Sequence, residues 1–455
     1  MIYSIIQKSQ LEGAKRLDAE YYQPEYLELN QELEDYGKDL YNFNQILEKV
    51  NSLTGGATPL GADYPKEGIK FLRVQNIMPG YIDFNDIVFI SEDIHKKQLK
   101  RSKLINNDVL LTITGVSYGK SAIYKENFGE CNINQHSVRM HFKDVVIPEY
   151  VVIFLNSKFG KFQSDRKVTG DTRPALDYKE IRNFKIPVLK KQDQLKIKEF
   201  YNNSIKYNQK SKKYYLQAEE ILLEELGLKD FEISEQKINI INLSDIKEAK
   251  RMDSEYFQEK YDLFFQKINN YKKVLKISDC FIQNTEKIKK DRKFYNYIEI
   301  GDVNTTDGSV KFNKVARYNL PANAKIKLRK DNLLISKVRP YRGAVGIVDF
   351  DDEDLVGSGA FTVLEEKDEI CKKEILMILL RTFIYKDIVM RYNVGSSYPV
   401  IKDENILNLP LPILPKEIQD KISKLVKKSF SARKEAKELL KQAKSKVEEM
   451  IEKNN

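Results

Sequence analysis

The chain repeats itself, and that limits its fold more than any other feature. Residues 14–26 read AKRLDAEYYQPEY and residues 249–261 read AKRMDSEYFQEKY, about half the chain apart. Lys15, Arg16, Asp18, Glu20, Tyr21, Gln23 and Tyr26 recur as Lys250, Arg251, Asp253, Glu255, Tyr256, Gln258 and Tyr261. Three further stretches keep the same order. IKFLRVQNIMPGYIDFN (69–85) parallels YNYIEIGDVNTTDGSVKFN (295–313), and INNDVLLTITGVSYGKSAIY (105–124) parallels LRKDNLLISKVRPYRGAVGIV (328–348). TGDTRPALDYKEIRNFKIPVL (169–189) parallels VGSSYPVIKDENILNLPLPIL (394–414), with Gly170, Pro174, Asn183 and Pro187 opposite Gly395, Pro399, Asn408 and Pro412. Chance does not preserve order across four segments, so the architecture is duplicated. A chain of 455 residues is too long for one ordinary core and suggests two or three domains.

Each half ends in a helix with the alternating three–four spacing of a coiled coil. One seam runs Ile197, Phe200, Ser204, Tyr207, Ser211, Tyr214, Ala218, Ile221. The other runs Ile418, Ile422, Leu425, Ser429, Ala432, Ala436, Leu439, Ala443, Val447, Met450. Small residues alternating with Tyr and Leu suit two unlike helices packed on each other; the alternative is an amphipathic helix packed on its own domain. Between the helices, Val109–Ile113 and Asn332–Ile335 are short apolar runs bounded by turn residues, which predicts strands. Residues 148–163 and 372–391 predict short helices. Each half is therefore an α+β domain followed by a long helix.

Little in the sequence points to catalysis. Amino-methyl transfer needs an Asn/Asp-Pro-Pro-aromatic motif and a glycine-rich cofactor loop. NLPLPIL (408–414) separates its prolines, and LVGSGAF (355–361) reads as a strand-edge turn. GVSYGKS (115–121) has too few residues between its glycines to cradle a phosphate. His136 and His141 lie an odd distance apart in a strand region, which sets them on opposite faces, and His95 is remote from both. Glu365-Glu366-Lys367 resembles the end of a nuclease motif, but such triplets are common in a chain with 32% charged residues. Cys131, Cys280 and Cys371 have neither disulfide nor zinc spacing. The start MIYSIIQKSQLEGAKR lacks the pattern of a signal peptide, and no long apolar run predicts a membrane span. The expectation is a cytoplasmic protein. The net charge of +10 favours polyanionic partners.

TGGATP (54–59), INNDVLLTITG, TGDTRPALDYKEIRNFKIPVL, the helix around Gln194 and the repeat of the later elements around Gln419 together resemble the specificity (S) subunit of type I restriction-modification systems. The resemblance covers nearly the whole chain. It departs where the second half has CFIQNTEKIKKDRKF (280–294) in place of a TGGATP loop. It implies an α+β fold with two tandem target-recognition domains separated by long helices that form an antiparallel coiled coil, in a pseudo-two-fold repeat. Residues 1–190 would be the first recognition domain, 191–230 the first spacer helix, 231–414 the second recognition domain and 415–455 the second spacer helix. It further implies a non-catalytic subunit that reads a bipartite site in double-stranded DNA. No cofactor is expected in this chain. The partners would be two modification subunits that use S-adenosylmethionine, and a motor-nuclease subunit using ATP with Mg where restriction is present. Two other readings are a specificity module of another DNA-modification or phage-defence enzyme, and a coiled-coil protein-interaction scaffold.

Base reading needs polar or cationic side chains on loops that reach a groove. Two loop types recur. The turn after the central strand carries Ser117, Tyr118 and Lys120 in one half and Lys337, Arg339, Tyr341 and Arg342 in the other. The Gly-x-x-x-Pro loop carries Thr169, Asp171, Thr172 and Arg173, then Ser396, Ser397 and Tyr398. Divergence within matched frames is what two domains reading different bases require, and also what neutral surface loops show. The clusters Lys287, Lys289, Lys290, Arg292, Lys293 and Lys96, Lys97, Lys100, Arg101, Lys103 would suit phosphates or a solvated loop equally.

Overall fold

The computed structural model describes residues 3–14, 16–59, 61, 64–170, 173–231, 238–395 and 397–453. It comprises two compact units, Met1–Asn208 with Lys434–Asn455, and Gln209–Arg433.

In the first unit, strands β1 (Leu53–Gly55), β2 (Ile69–Leu72), β3 (Val88–Ile90), β4 (Val109–Thr112), β5 (Ser121–Ile123), β6 (Cys131–Ile133) and β7 (Ser137–Met140) form two sheets. One is antiparallel in the order β1-β7-β4-β5. The other, β3-β2-β6, contains a parallel pair in which Phe71 faces Asn132. Helices α1 (Pro148–Leu155) and α2 (Lys158–Lys167) follow, then the long helix α3 (Lys191–Glu225).

The second unit repeats this plan with β8 (Phe281–Gln283), β9 (Phe294–Ile298), β10 (Asn313–Ala316), β11 (Ala324–Lys327), β12 (Leu333–Ser336), β13 (Val345–Ile347), β14 (Leu355–Ser358) and β15 (Phe361–Glu366). Its antiparallel sheet runs β8-β15-β12-β13; its other sheet, β10-β9-β14-β11, has a parallel pair at Tyr297 and Val356. Helices α4 (Lys373–Arg381), α5 (Phe383–Arg391) and α6 (Lys416–Glu452) close the chain. The duplication thus extends to strand order and to the position of the parallel pair.

The central strand of each unit is buried on both faces, because successive side chains enter different cores. Val109 and Leu111 pack with the helices while Leu110 packs with β6. In the other copy Leu333 and Ile335 face the helices and Leu334 the opposite side. Left-handed residues bracket both strands: Asn107 (φ 69°) and Gly115 (φ 71°) around β4, Asp331 (φ 72°) and Arg339 (φ 49°) around β12.

The stretches 148–163 and 372–391, read from sequence as single helices, are each two. Ser157 and Thr382 sit at the breaks and turn their hydroxyls onto the carbonyls of Phe154 (2.6 Å) and Leu379 (2.7 Å). Thr382 also accepts from the Tyr385 N–H, starting the next helix. Short hydroxyl side chains compete in this way with helix continuation.

The long helices pack antiparallel. In the first unit Ser204 donates to the Ala436 carbonyl (2.8 Å), and in the second Ser211 and Ser429 share a hydrogen bond (3.0 Å). The small half of the predicted seam is confirmed: Ile197, Ser204, Ser211 and Ala218 are buried, as are Ile422, Ser429, Ala436 and Ala443. Val447 is buried as expected too, but much of the larger half is shifted by one residue. Tyr201, Tyr215 and Leu222 are buried rather than Phe200, Tyr214 and Ile221, and Val426 rather than Leu425. The reason is that the helices pack on the domain cores as well as on each other. Tyr201 joins the first unit's core, while Tyr215 and Leu222 join the second's.

The matched glutamines fix each long helix to its domain. Gln194 accepts from the Ile147 N–H (2.7 Å) and donates to the Val145 and Leu189 carbonyls. Gln419 accepts from the Lys372 N–H (3.0 Å) and donates to the Ile370 and Leu414 carbonyls. An apolar isostere would strand three backbone groups. Gln419→Leu is expected to cost on the order of 3 kcal/mol, read as a lower thermal-unfolding midpoint. An unchanged midpoint would mean that solvent replaces the clamp.

Candidate nucleic-acid interface

The two recurrent loop types meet in both units. In the first, the Gly115 N–H donates to the Pro174 carbonyl (2.9 Å), and Thr114 and Thr169 each bridge to Ala175. In the second, the Arg339 N–H donates to the Pro399 carbonyl (2.8 Å), and Val338 and Val394 each bridge to Val400. Segments far apart in sequence thus form one face, carried on the end of the central strand.

The side chains on these faces differ. In the second unit the Arg339 guanidinium lies 4.4 Å from the ring centroid of Tyr398, which is 65% exposed. Arg339 occupies a left-handed backbone conformation (φ 49°), where the first unit places Gly115. For a residue with a Cβ that conformation costs roughly 1–2 kcal/mol. Strain of this kind accumulates at functional sites. Tyr341, Arg342 and Ser397 are exposed beside it. Lys337 is instead engaged by Asp403 (3.1 Å), which also accepts from the Thr362 hydroxyl (2.6 Å).

In the first unit Arg173 and Thr169 are exposed on the Gly-x-x-x-Pro loop. Ser117 is half-buried; its carbonyl accepts from the Thr112 hydroxyl (2.6 Å), and its own hydroxyl accepts from Lys120 (3.3 Å). Tyr118 is turned inward. Lys161 lies over its ring at 4.6 Å, and burial, with a hydrogen bond to Asp165, pushes its phenol up to about 12. Asp171, Thr172 and Ser396 lie outside the described residues.

The first face also contains residues the repeat did not single out. Thr58 donates to Gln135, Gln135 donates to His136 (3.0 Å), and the other His136 nitrogen bonds Thr114 Oγ1 (2.6 Å). The TGGATP loop is held close to this turn, since a Cβ on Gly56 would come within 2.0 Å of the Asn134 carbonyl oxygen. Val116 projects at the tip of the turn, 98% exposed. The basic clusters are partly neutralised: Lys96 and Lys97 pair with Glu92 and Asp93, and Arg292 lies 3.6 Å from both Glu353 and Asp354.

The histidines serve separate partners. His95 bonds Asn132 (2.5 Å) and His141 faces Asp108 (3.1 Å). The three cysteines are buried and free. Among the described residues no His/Cys/Asp/Glu group could hold a metal, and no helix is long and apolar enough to cross a membrane.

The architecture defines a class: a duplicated α+β chain whose halves each carry a two-loop face and end in a long helix paired antiparallel with its counterpart. Residues 267–448 match the family described as Type I restriction modification DNA specificity domain. The chain is 31% identical over 160 residues to the Type I restriction enzyme EcoBI specificity subunit of Escherichia coli, covering 34% of this chain and 32% of that protein. It is 32% identical over 111 residues to the HindI specificity subunit of Haemophilus influenzae, covering 24% of each. The matched part therefore spans about a third or less of these relatives. A crystal structure of the type I S subunit from M. genitalium aligns over 91% of this chain and 95% of its own at 12% identity, with a TM-score of 0.46.

Proposed function

We propose that this chain is the non-catalytic DNA-specificity subunit of a type I restriction-modification complex. In this reading residues 1–190 and 231–414 are two recognition domains that each read half of a bipartite site in double-stranded DNA. Residues 191–230 and 415–455 are the spacer helices. The observation that carries the reading is the meeting of the two recurrent loops in each unit, with different polar and cationic side chains on matched frames. A shared scaffold with divergent loop chemistry is what reading two unlike half-sites requires. Two modification subunits supply S-adenosylmethionine and the methyl-transfer chemistry, and a motor-nuclease subunit supplies ATP- and Mg-dependent restriction where it is present. The complex acts in the cytoplasm.

The test is co-expression with the methyltransferase encoded beside it, followed by genome-wide mapping of methylated bases. A two-part motif is expected with both chains, and none with this chain alone. Methylation by the purified chain would overturn the non-catalytic assignment; no DNA binding by the complex would favour a scaffold. Within a working complex, Arg339→Ala and Arg342→Ala should each cost about 1–3 kcal/mol and relax one half of the motif. Uniform weakening on every sequence would instead mark these arginines as phosphate contacts.

A further inference from the structure

We propose that Gln135 reads an adenine in the half-site recognised by the first unit; this rests on the DNA-reading function proposed above. Gln135 is exposed in the turn between β6 and β7, beside the Gly115 turn. Exposed glutamines are common, but this one has its amide fixed at both ends. Thr58 donates to its Oε1, and its Nε2 donates to His136 Nε2 (3.0 Å). With the amide in this orientation the imidazole accepts at Nε2 and carries its proton on Nδ1, facing Thr114 Oγ1 (2.6 Å). Turning the amide over would require the imidazole to change tautomer and the Thr114 hydroxyl to become the donor. The chain of hydrogen bonds therefore holds the amide in place beside the Gly115 turn.

A side-chain amide has two donor hydrogens and two acceptor lone pairs. Thr58 and His136 use one of each, leaving one acceptor and one donor for another partner. Adenine presents the complement in the major groove, the N6 amino donor beside the N7 acceptor, and a bidentate amide is its usual partner. Guanine presents two acceptors there, so the fixed Oε1 would face an acceptor. An amide held here can match adenine but not guanine, whose two acceptors meet only one donor.

The second unit supports the same division of roles. The Ile113 N–H donates to the His136 carbonyl, and correspondingly the Lys337 N–H donates to the Ala360 carbonyl. Gly359 and Ala360 therefore stand where the first unit has Gln135 and His136, and neither side chain has a hydrogen-bonding group. The reading group moves to Arg339, at the position of Gly115, and arginine pairs with guanine O6 and N7. Each face carries its groove-reading side chain on a different strand end.

The experiment uses the full chain complexed with its methyltransferase, with motifs read by genome-wide methylation mapping and by binding to a randomised duplex library. Gln135→Ala should reduce the preference for adenine at one position of one half-site by roughly ten- to a hundredfold, leaving the other half-site unchanged. Gln135→Arg should move the preference at that position toward guanine. His136→Ala keeps the glutamine but frees its amide, and should lower adenine-over-guanine discrimination while the remaining positions keep their preference. An unchanged motif for Gln135→Ala, or equal weakening on all sequences, would overturn the proposal. If the wild-type complex yields no two-part motif, the DNA-reading function itself fails, a result distinct from a wild-type motif that survives Gln135→Ala.

Discussion

Replacing Arg381 with methionine is expected to destabilise the second unit by about 3–5 kcal/mol, because several buried acceptors lose their donor at once. Arg381 is 6% exposed at the end of α4. Its Nε donates to the Tyr215 hydroxyl (2.7 Å) and its Nη2 to the Thr305 carbonyl (2.9 Å). Its Nη1 faces the carbonyls of Gly343 and Val345, both at 3.1 Å, and Asn304 at 3.3 Å. One fork thus joins the turn after β12, the loop at 304–305 and helix α3. Methionine fills similar space but leaves these acceptors without their donor, each costing about 1–3 kcal/mol if it stays dry. Lysine should rescue little, since a single ammonium cannot reproduce the planar fork. Two neighbours should both shift upward. Burial raises the Glu219 carboxyl while Arg381 opposes that rise, so the variant should raise it further. Burial lowers the Arg433 guanidinium while Asp307 supports it, and losing the adjacent positive charge of Arg381 relieves part of that lowering. Hydrogen exchange should show lost protection at 303–310 and 339–345 in both Arg381→Met and Arg381→Lys. Because the Gly343 carbonyl is an Arg381 acceptor, half-site affinity should fall with the base preference unchanged. Retained protection in the lysine variant would show that charge, rather than the fork, holds the turn.

Much of this architecture was legible in the sequence because duplication samples one fold twice. Matched glutamines in the helices, Gln194 and Gln419, make the same three backbone bonds. The repeated Arg-x-Asp-x-x-Tyr motif forms the same local clamp: Arg16 pairs with Asp18 and Arg251 with Asp253, with Tyr21 and Tyr256 packed under the arginines. The helix seam was half legible. Serine and alanine mark the layers where the helices touch, whereas the tyrosines answer to the domain cores, a contact that heptad spacing does not encode. The meeting of the two loops was not legible, since it depends on pairing between distant segments such as Val338 with Val400. The hydrogen-bonded cluster of Thr58, Gln135 and His136 has no echo in the repeat, because the second half has Gly359 and Ala360 at the last two positions. The partners of Lys337 and Tyr118 were equally invisible: Asp403 pairs with one, and Asp165 with burial engages the other.

Asp108 should carry an effect of similar size in the first unit, and its counterpart shows why. It precedes β4 as Asn332 precedes β12, each following a left-handed residue, Asn107 or Asp331. The fully buried Asp108 carboxylate accepts from the Ile105 N–H (2.9 Å), from Arg139 (3.1 Å) and from His141 (3.1 Å). Asn332 similarly accepts from the Arg329 N–H (2.9 Å), but its amide donates to Glu365 (3.0 Å). Each unit therefore closes the same turn, one with an acid facing bases and the other with an amide facing an acid. Asp108→Ala removes the turn's acceptor and leaves Arg139 without its anion, for an expected loss of about 3–5 kcal/mol. Asp108→Asn keeps the turn bond and should lose less. The pair also has a pH signature. Burial, the largest influence, pushes the Asp108 carboxyl above its ordinary 3.8 despite Arg139 and His141. A raised folded-state value means that the native state holds the proton more tightly than the unfolded chain. The associated stability is complete below the unfolded value and fades as pH rises through the folded one. Measured as a difference against Asp108→Asn, the advantage of wild type should therefore be largest in acid and shrink toward neutrality. Hydrogen exchange of the β4 amides across that pH range reads the difference within the first unit. An advantage that grows with pH would mean that Arg139 and His141 outweigh the cost of burying the charge.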